Sequence, residues 1–534
     1  MSMPVPDWVS FNADETGGLD LLGLRAPVQF IGNGLFDGVT TITPKLRYMS
    51  VITWIIWRYA EARLPEKRSS FFEFAAAQEC AFVMANRTLG RNVNNLVGVG
   101  GADNELDSGK NTLPLRKLTL NIALNAYIAS SRQLNLTSQA DHGLNKLSEE
   151  RGLALAKEFE KVVHGTAYGA RLAKTPSTDK ITRDELEELA QAMSIIAIPR
   201  GERDILVDLL APKKPTDAAE RRRLRHYALL LWLTQKNERP IEEADIFEAA
   251  QRPPEDLPAC LSPSLDGFLA YVARDCLAIC HEHVFAAVMR EVDSVFHERS
   301  APALSSDVVA SLVAGAAEKD EALRTFRLLV DNESAHELPL RTVYERVQRR
   351  CRRNRVEESG IARWRGGLSE AELYEYAGSS GDAAVALLPV AWCLACERAL
   401  AIGPDGVQPP VNLGAIGGPF QIGIDAVIRP KIAEFLGEDR SYRDVMAELV
   451  MRTVQQHLRV AWSRFSAPRG KDVSVLIADT EAWSRNNAFR PGRTGSRLPM
   501  SIDWLEQLKL TSEDGLTKSG KRILDRSLET LGKP

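Results

Sequence analysis

The chain has 534 residues, a formal net charge of −4, 44% hydrophobic and 26% charged residues, and seven cysteines. That length exceeds one hydrophobic core, and at roughly 150 residues per domain it points to three or four. The composition excludes long disorder, and the slight negative charge excludes wholesale coating of nucleic acid, so any such binding has to come from local patches.

In chain order, MSMPVPDWVSFNADETGG has no basic segment followed by an apolar core, so no secretory signal is expected and the location implied is cytoplasmic. An odd, sparse set of cysteines agrees with a reducing compartment. GLDLLGL at 18–24 and GVTTITPKLRY at 38–48 open a helical domain expected over 1–175. The apolar run Met49 to Tyr59 is broken by Arg58 and is shorter than the ~20 residues a spanning helix needs, so it reads as a buried helix and no membrane partner is expected.

A second helical domain is expected over 176–252. Thr182 and Glu185 form a capping box ahead of Leu186, Leu189 and Met193, and a helix from Asp217 to Leu233 ends in the apolar YALLLWL. A third domain, 253–471, opens on a helix from Leu265 to Phe296 with Leu269, Val272, Cys276, Cys280, His283 and Val284 near one stripe. Linker composition marks 251–264, 298–306 and 403–419. Strand signals are sparse, so the expected fold is mainly α, a multi-domain helical protein.

Two basic segments stand out. In 346–365, Arg346, Arg349, Arg350, Arg353 and Arg355 spread around a helix, and Trp364 lies between Arg363 and Arg365, where a base could stack, although Glu345, Glu357 and Glu358 flank the run. In 472–534, Arg485, Arg490, Arg493 and Arg497 have no acidic residue between them. There Ser496 precedes an apolar stripe of Leu498, Ile502, Leu505 and Leu508, Asp514 and Gly515 sit in a hairpin turn, and Ile523, Leu524, Leu528 and Leu531 repeat at helical spacing. The segment WLEQLKLTSEDGLTKSGKRIL resembles the recognition helix, wing and closing helix of winged-helix domains, which implies a C-terminal domain over 472–534 that places guanidinium groups against phosphates, or that docks proteins.

Other patterns bear on chemistry. Arg274, Asp275 and His281 resemble the R-x(4–6)-H motif of HEPN ribonucleases, which implies His281 as general base and Arg274 as phosphate holder; three further Arg and His pairs share that spacing. Cys276, Cys280, Cys393 and Cys396 read as small core hydrophobes rather than ligands, so neither metal nor cofactor is expected. No G-x-S-x-G, H-E-x-x-H or zinc-deaminase pattern occurs. The N-terminal phrases and RRRLRHYALLLWL resemble uncharacterised prokaryotic restriction and phage-defence proteins. The function these readings imply is a nucleic-acid-binding or adaptor subunit of a larger prokaryotic assembly, with DNA rather than RNA and other protein subunits as partners. The alternatives are a metal-independent HEPN ribonuclease and a purely structural scaffold.

Overall fold

The computed structural model describes residues 20–533 apart from 91, 92, 94, 120, 121, 141–143, 176–178, 319, 320, 336, 354, 357–360, 365–367, 400–411, 468–471 and 480. Helices dominate, as expected. Those used below are, in chain order, α1 (Arg25–Leu35), α2 (Tyr48–Glu61), α3 (Arg68–Leu89), α4 (Ala123–Gln133), α5 (Arg183–Ala192), α6 (Ala218–Asn237), α7 (Ser262–Arg299), α8 (Leu340–Arg353), α9 (Glu370–Ser379), α10 (Gly381–Arg398), α11 (Tyr442–Phe465), α12 (Leu498–Gln507) and α13 (Lys518–Gly532). Among the described residues, strands are two to four residues long and pair antiparallel; the largest sheet has three, with Ala482–Arg485 between Ala303–Leu304 and Leu476–Asp479. Among the described residues no helix is long and apolar enough to cross a membrane.

Local chemistry accounts for the helix starts. Thr182 caps α5 by accepting from Glu185 N at 3.2 Å, while the Glu185 carboxylate accepts from Thr182 N at 2.9 Å. Asp217 caps α6 through Glu220 N at 2.8 Å. The Met49–Tyr59 run lies inside α2 and is buried almost all round, which is why its sequence shows no polar face.

The chain forms two compact units. One holds residues up to Gly32, Phe247–Leu257 and Leu265–Thr494; the other holds Asn33–Ile246, Pro258–Ser264 and Gly495–Pro534. The 472–534 segment is therefore shared between them, divided after Thr494.

In the second unit, Arg47 is fully buried and meets Glu202 at 2.8 and 3.2 Å, with further bonds to the carbonyls of Ala192 and Ala197. The partners offset a desolvation that an unpaired guanidinium could not bear. The helix, hairpin and closing helix expected at the end of the sequence are present: Thr511 pairs with Leu516 and Ser512 with Gly515, the turn falls on Glu513 and Asp514 rather than on Asp514 and Gly515, the φ of +95° at Gly515 just after it suits glycine, and Leu524, Ser527 and Leu531 of α13 face inward.

In the first unit α7, α10 and α11 are joined through one imidazole. Trp392 Nε1 donates to His281 Nε2 at 2.9 Å, and His281 Nδ1 lies 2.8 Å from Thr453 Oγ1. Since Nε2 accepts, the proton sits on Nδ1 and is donated to the threonine.

Candidate nucleic-acid interface

The segment from Arg485 to Thr494 belongs to the first unit and runs as a strap over α7. It leaves the three-stranded sheet at Arg485, and Phe489 packs edge-on against Phe285 of α7 with centroids 5.0 Å apart. Gly492 N then donates to Glu282 Oε2 at 2.9 Å, while its carbonyl accepts from Arg25 Nη2 at 2.9 Å. Arg25 and Glu282 themselves form a bidentate pair at 2.7 Å for both bonds. Two turns earlier on α7, Asp275 Oδ1 accepts from Thr494 N at 3.1 Å, and Tyr271 donates its hydroxyl to Thr494 O at 3.2 Å.

Both carboxylates are sealed in. Burial pushes Asp275 and Glu282 above the ordinary carboxylate range, and the strap amides, with Arg25 and Arg493, pull the other way. Removing the strap would leave two buried carboxylates short of donors, so the backbone at 492–494 is held in place.

That fixed backbone presents Arg493. Its guanidinium lies 3.8 Å above the Tyr374 ring of α9, and the residue is exposed. Stacking uses the flat face of the group and leaves its in-plane N–H donors pointing outward. Arg490 is exposed on the same strap. Arg485 is paired with Asp293 and donates to Asn487 O at 3.1 Å, so its charge is largely answered within the protein. Arg497 lies in the other unit, where it donates to Asn33 Oδ1 at 2.7 Å.

The expected recognition helix has other work. In α12, Leu498, Ser501, Trp504 and Leu505 are buried; Trp504 Nε1 donates to Thr43 O at 3.0 Å, and Gln507 bonds Pro44 O and Leu46 N. Its exposed positions are Pro499 and Glu506, with Asp503 half-buried. A helix walled in on its apolar side that shows carboxylates elsewhere is poorly suited to a phosphate-lined groove. Ser496 Oγ accepts from Leu498 N at 3.0 Å, and the residue in the cap position is Arg497.

Among the described residues of the 346–365 segment, Arg346, Arg350, Arg363 and Trp364 are engaged within the fold. Arg346 clasps Glu333 with bonds of 2.5 and 2.7 Å, and that pairing holds the Glu333 carboxyl down at about 2. Arg350 donates to the Phe326 carbonyl, Arg349 is exposed, and the side chain of Arg353 lies outside the described residues. Arg363 is buried against Asp266 at 2.6 Å. Trp364, the expected stacking platform, is buried: it donates to Leu368 O at 2.6 Å, and the Arg398 guanidinium sits 3.4 Å over its ring while pairing with Glu370.

Arg274 and His281 are buried, at 1% and 0% exposure. Arg274 donates to the carbonyls of Gln421 at 2.7 Å and Ile422 at 3.1 Å, and burial lowers its pKa to about 10. Burial lowers His281 to about 3, so the ring stays neutral and sealed from any substrate at physiological pH. A general base for RNA cleavage has to reach the attacking hydroxyl, and this geometry instead gives both residues structural roles.

Cys276, Cys280, Cys393 and Cys396 are buried as expected. Burial pushes Cys396 up to about 12 and Cys393 well above its ordinary value. Among the described residues no three His, Cys, Asp or Glu side chains are grouped to hold a metal.

Sequence reasoning missed Arg25, Glu282 and Tyr374, and it read Asp275 only as a neighbour of Arg274. One signal was available: Asp275 and Glu282 stand seven residues apart, two turns along one face of the mostly apolar stretch from Leu265 to Met289, a costly pattern unless something polar covers it. No protein-family model, curated protein or solved structure matches the chain.

Proposed function

We propose that the chain binds nucleic acid, duplex DNA rather than RNA, through the strap at 490–493, as a subunit of a larger assembly. The observation that carries this reading is Arg493, stacked at 3.8 Å on Tyr374 on a backbone anchored by Glu282 and Asp275. Preorganisation of this kind lowers the ordering cost of a phosphate contact. The sequence supports it as well, since the stretch from Ala482 to Ile502, which holds Arg490 and Arg493, has no acidic residue. Contacts of this type position a protein on DNA and carry little sequence information. The assembly, its protein subunits and its place in prokaryotic anti-phage defence are carried by the resemblance of the N-terminal phrases alone. Exposed Glu372 and Glu375 on α9 favour a second reading, in which the same strap docks on a protein of mixed charge.

The test is fluorescence anisotropy of the full-length chain on unrelated 20-base-pair duplexes across a salt series. Arg490→Ala with Arg493→Ala is expected to weaken all duplexes alike and to make the slope of log K against log[salt] shallower by about 1.8, at about 0.9 per phosphate contact. Duplex binding that is absent at low salt, or unchanged in the double variant, would leave the protein-docking reading as the better one.

A further inference from the structure

The unit that carries the strap has a second surface whose chemistry the proposed duplex contact does not use. At the C-terminal end of α11, Trp462 is 70% exposed and Phe465 55%, their rings 6.3 Å apart and tilted by 38°. One turn earlier, the Arg459 guanidinium lies 5.6 Å over the ring of Phe420, itself 63% exposed. Burying one of these rings against the body of the unit would remove some 150–250 Å² from water, yet three remain outside in one neighbourhood.

The backbone beneath them is fixed. Phe420 O accepts from Gln456 Nε2 at 2.5 Å, Gln421 O and Ile422 O accept from buried Arg274, and Gly418 N donates to Gln421 Oε1 at 2.8 Å. Gln456 also reaches Leu22 O at 2.8 Å, and Arg464 donates to Asp20 O at 2.7 Å, so the last turns of α11 are tied to the residues just before α1. The arginine that resembles a nuclease residue thus serves as an internal strut for a displayed phenylalanine.

Charge selects the partner. Between Glu448 and Asp472 the sequence has five basic residues and no acidic one, and between Asp405 and Asp425 it has no charged residue at all. An apolar peptide would have no use for Arg459 laid over Phe420, whereas a single-stranded nucleic acid offers flat bases to the rings and phosphates to the guanidinium. We infer that Trp462, Phe465, Phe420 and Arg459 form a stacking platform for two or three nucleotides of single-stranded nucleic acid. This shares only its ligand class with the duplex reading, from which it is tested separately.

The experiment titrates full-length protein with a dT15 oligonucleotide and an rU15 oligonucleotide, following tryptophan fluorescence and anisotropy. Binding is expected to quench fluorescence, and Trp462→Ala to weaken it roughly ten- to a hundredfold, with Trp462→Phe restoring most of the affinity because stacking needs only a π-face. Arg459→Ala is expected to make the single-strand salt slope shallower by about 0.7. The thermal midpoint should hold in each variant, since the replaced side chains are exposed. Equal affinity of wild type and Trp462→Ala for both oligonucleotides overturns the platform, as does binding of anionic phosphatidylserine vesicles, but not of oligonucleotides, that depends on Trp462. In either case duplex binding that still depends on Arg490 and Arg493 leaves the strap reading intact, whereas a wild-type chain that binds dT15 but no duplex at low salt, or whose duplex binding is unchanged in the Arg490→Ala, Arg493→Ala variant, removes the strap alone.

Discussion

Acidification of the His281 site yields a prediction that separates a core imidazole from a catalytic one. An unfolded histidine titrates near 6.5, whereas burial holds His281 at about 3. Between those values the unfolded chain binds the proton that the folded chain refuses, so stability falls as pH falls through the window. At pH 5 the folded state remains neutral at this ring, and the loss is about 2 kcal/mol relative to pH 7.5, fixed mainly by the unfolded value. His281→Leu removes the titration but orphans Trp392 Nε1, which His281 now accepts at 2.9 Å, at a cost of roughly 1–3 kcal/mol. The variant should therefore be destabilised at pH 7.5 and close to wild type at pH 5. Urea unfolding followed by fluorescence at the two pH values reads both numbers. If wild type and variant lose the same stability between pH 7.5 and 5, or if the variant keeps full stability while losing an RNA-cleaving activity, the core assignment fails.

Four further outcomes follow from the packing. Glu79 works in the opposite direction from His281: burial raises it to about 7 while it accepts from Ala123 N and Leu124 N at the start of α4, so its contribution is lost as pH rises through 7, and urea unfolding of Glu79→Gln should lack that loss. Arg47→Met leaves Glu202 buried without its cation and should cost about 3–5 kcal/mol by denaturant titration. In Gly520→Ala the new methyl group would collide with the Leu510 carbonyl, so a drop in thermal midpoint of several degrees is expected, and an unchanged midpoint would refute the close approach. Arg398→Lys keeps the charge but loses the two-bonded grip on Glu370 and the stack on Trp364, so it should destabilise where a surface substitution of that kind would not.

Elements were legible where the signal was local. The capping box at Thr182, the helix from Asp217, the apolar run of α2 and the terminal hairpin each depend on residues a few positions apart, and each appears in the fold, the hairpin turn falling on Glu513 and Asp514 with Gly515 opening the second strand. Charge partners were not legible. Arg363 and Trp364 read as a basic and aromatic patch because Asp266, which answers one, and Arg398, which covers the other, lie far away in sequence. Arg274 and His281 fit a catalytic spacing because two residues on one face of any helix do; only the burial of that face assigns their roles. The end of the sequence read correctly as helix, hairpin and helix, but no local pattern shows that α12 turns its tryptophan into the protein.

The division into two units has a consequence for how the protein is made. The chain passes from one unit to the other five times, after residues 32, 246, 257, 264 and 494. Neither unit is a continuous stretch, so during synthesis the unit holding α2 and α6 lacks α12 and α13 until residues 495–534 leave the ribosome, long after its other helices have emerged. The strap, by contrast, is in hand once Thr494 appears. Contacts spanning such sequence distances fold slowly and leave apolar faces waiting for their covers. A chain cut after residue 494 should therefore expose α6 and aggregate or recruit chaperones, and a fragment cut at 472 would carry pieces of both units and the core of neither.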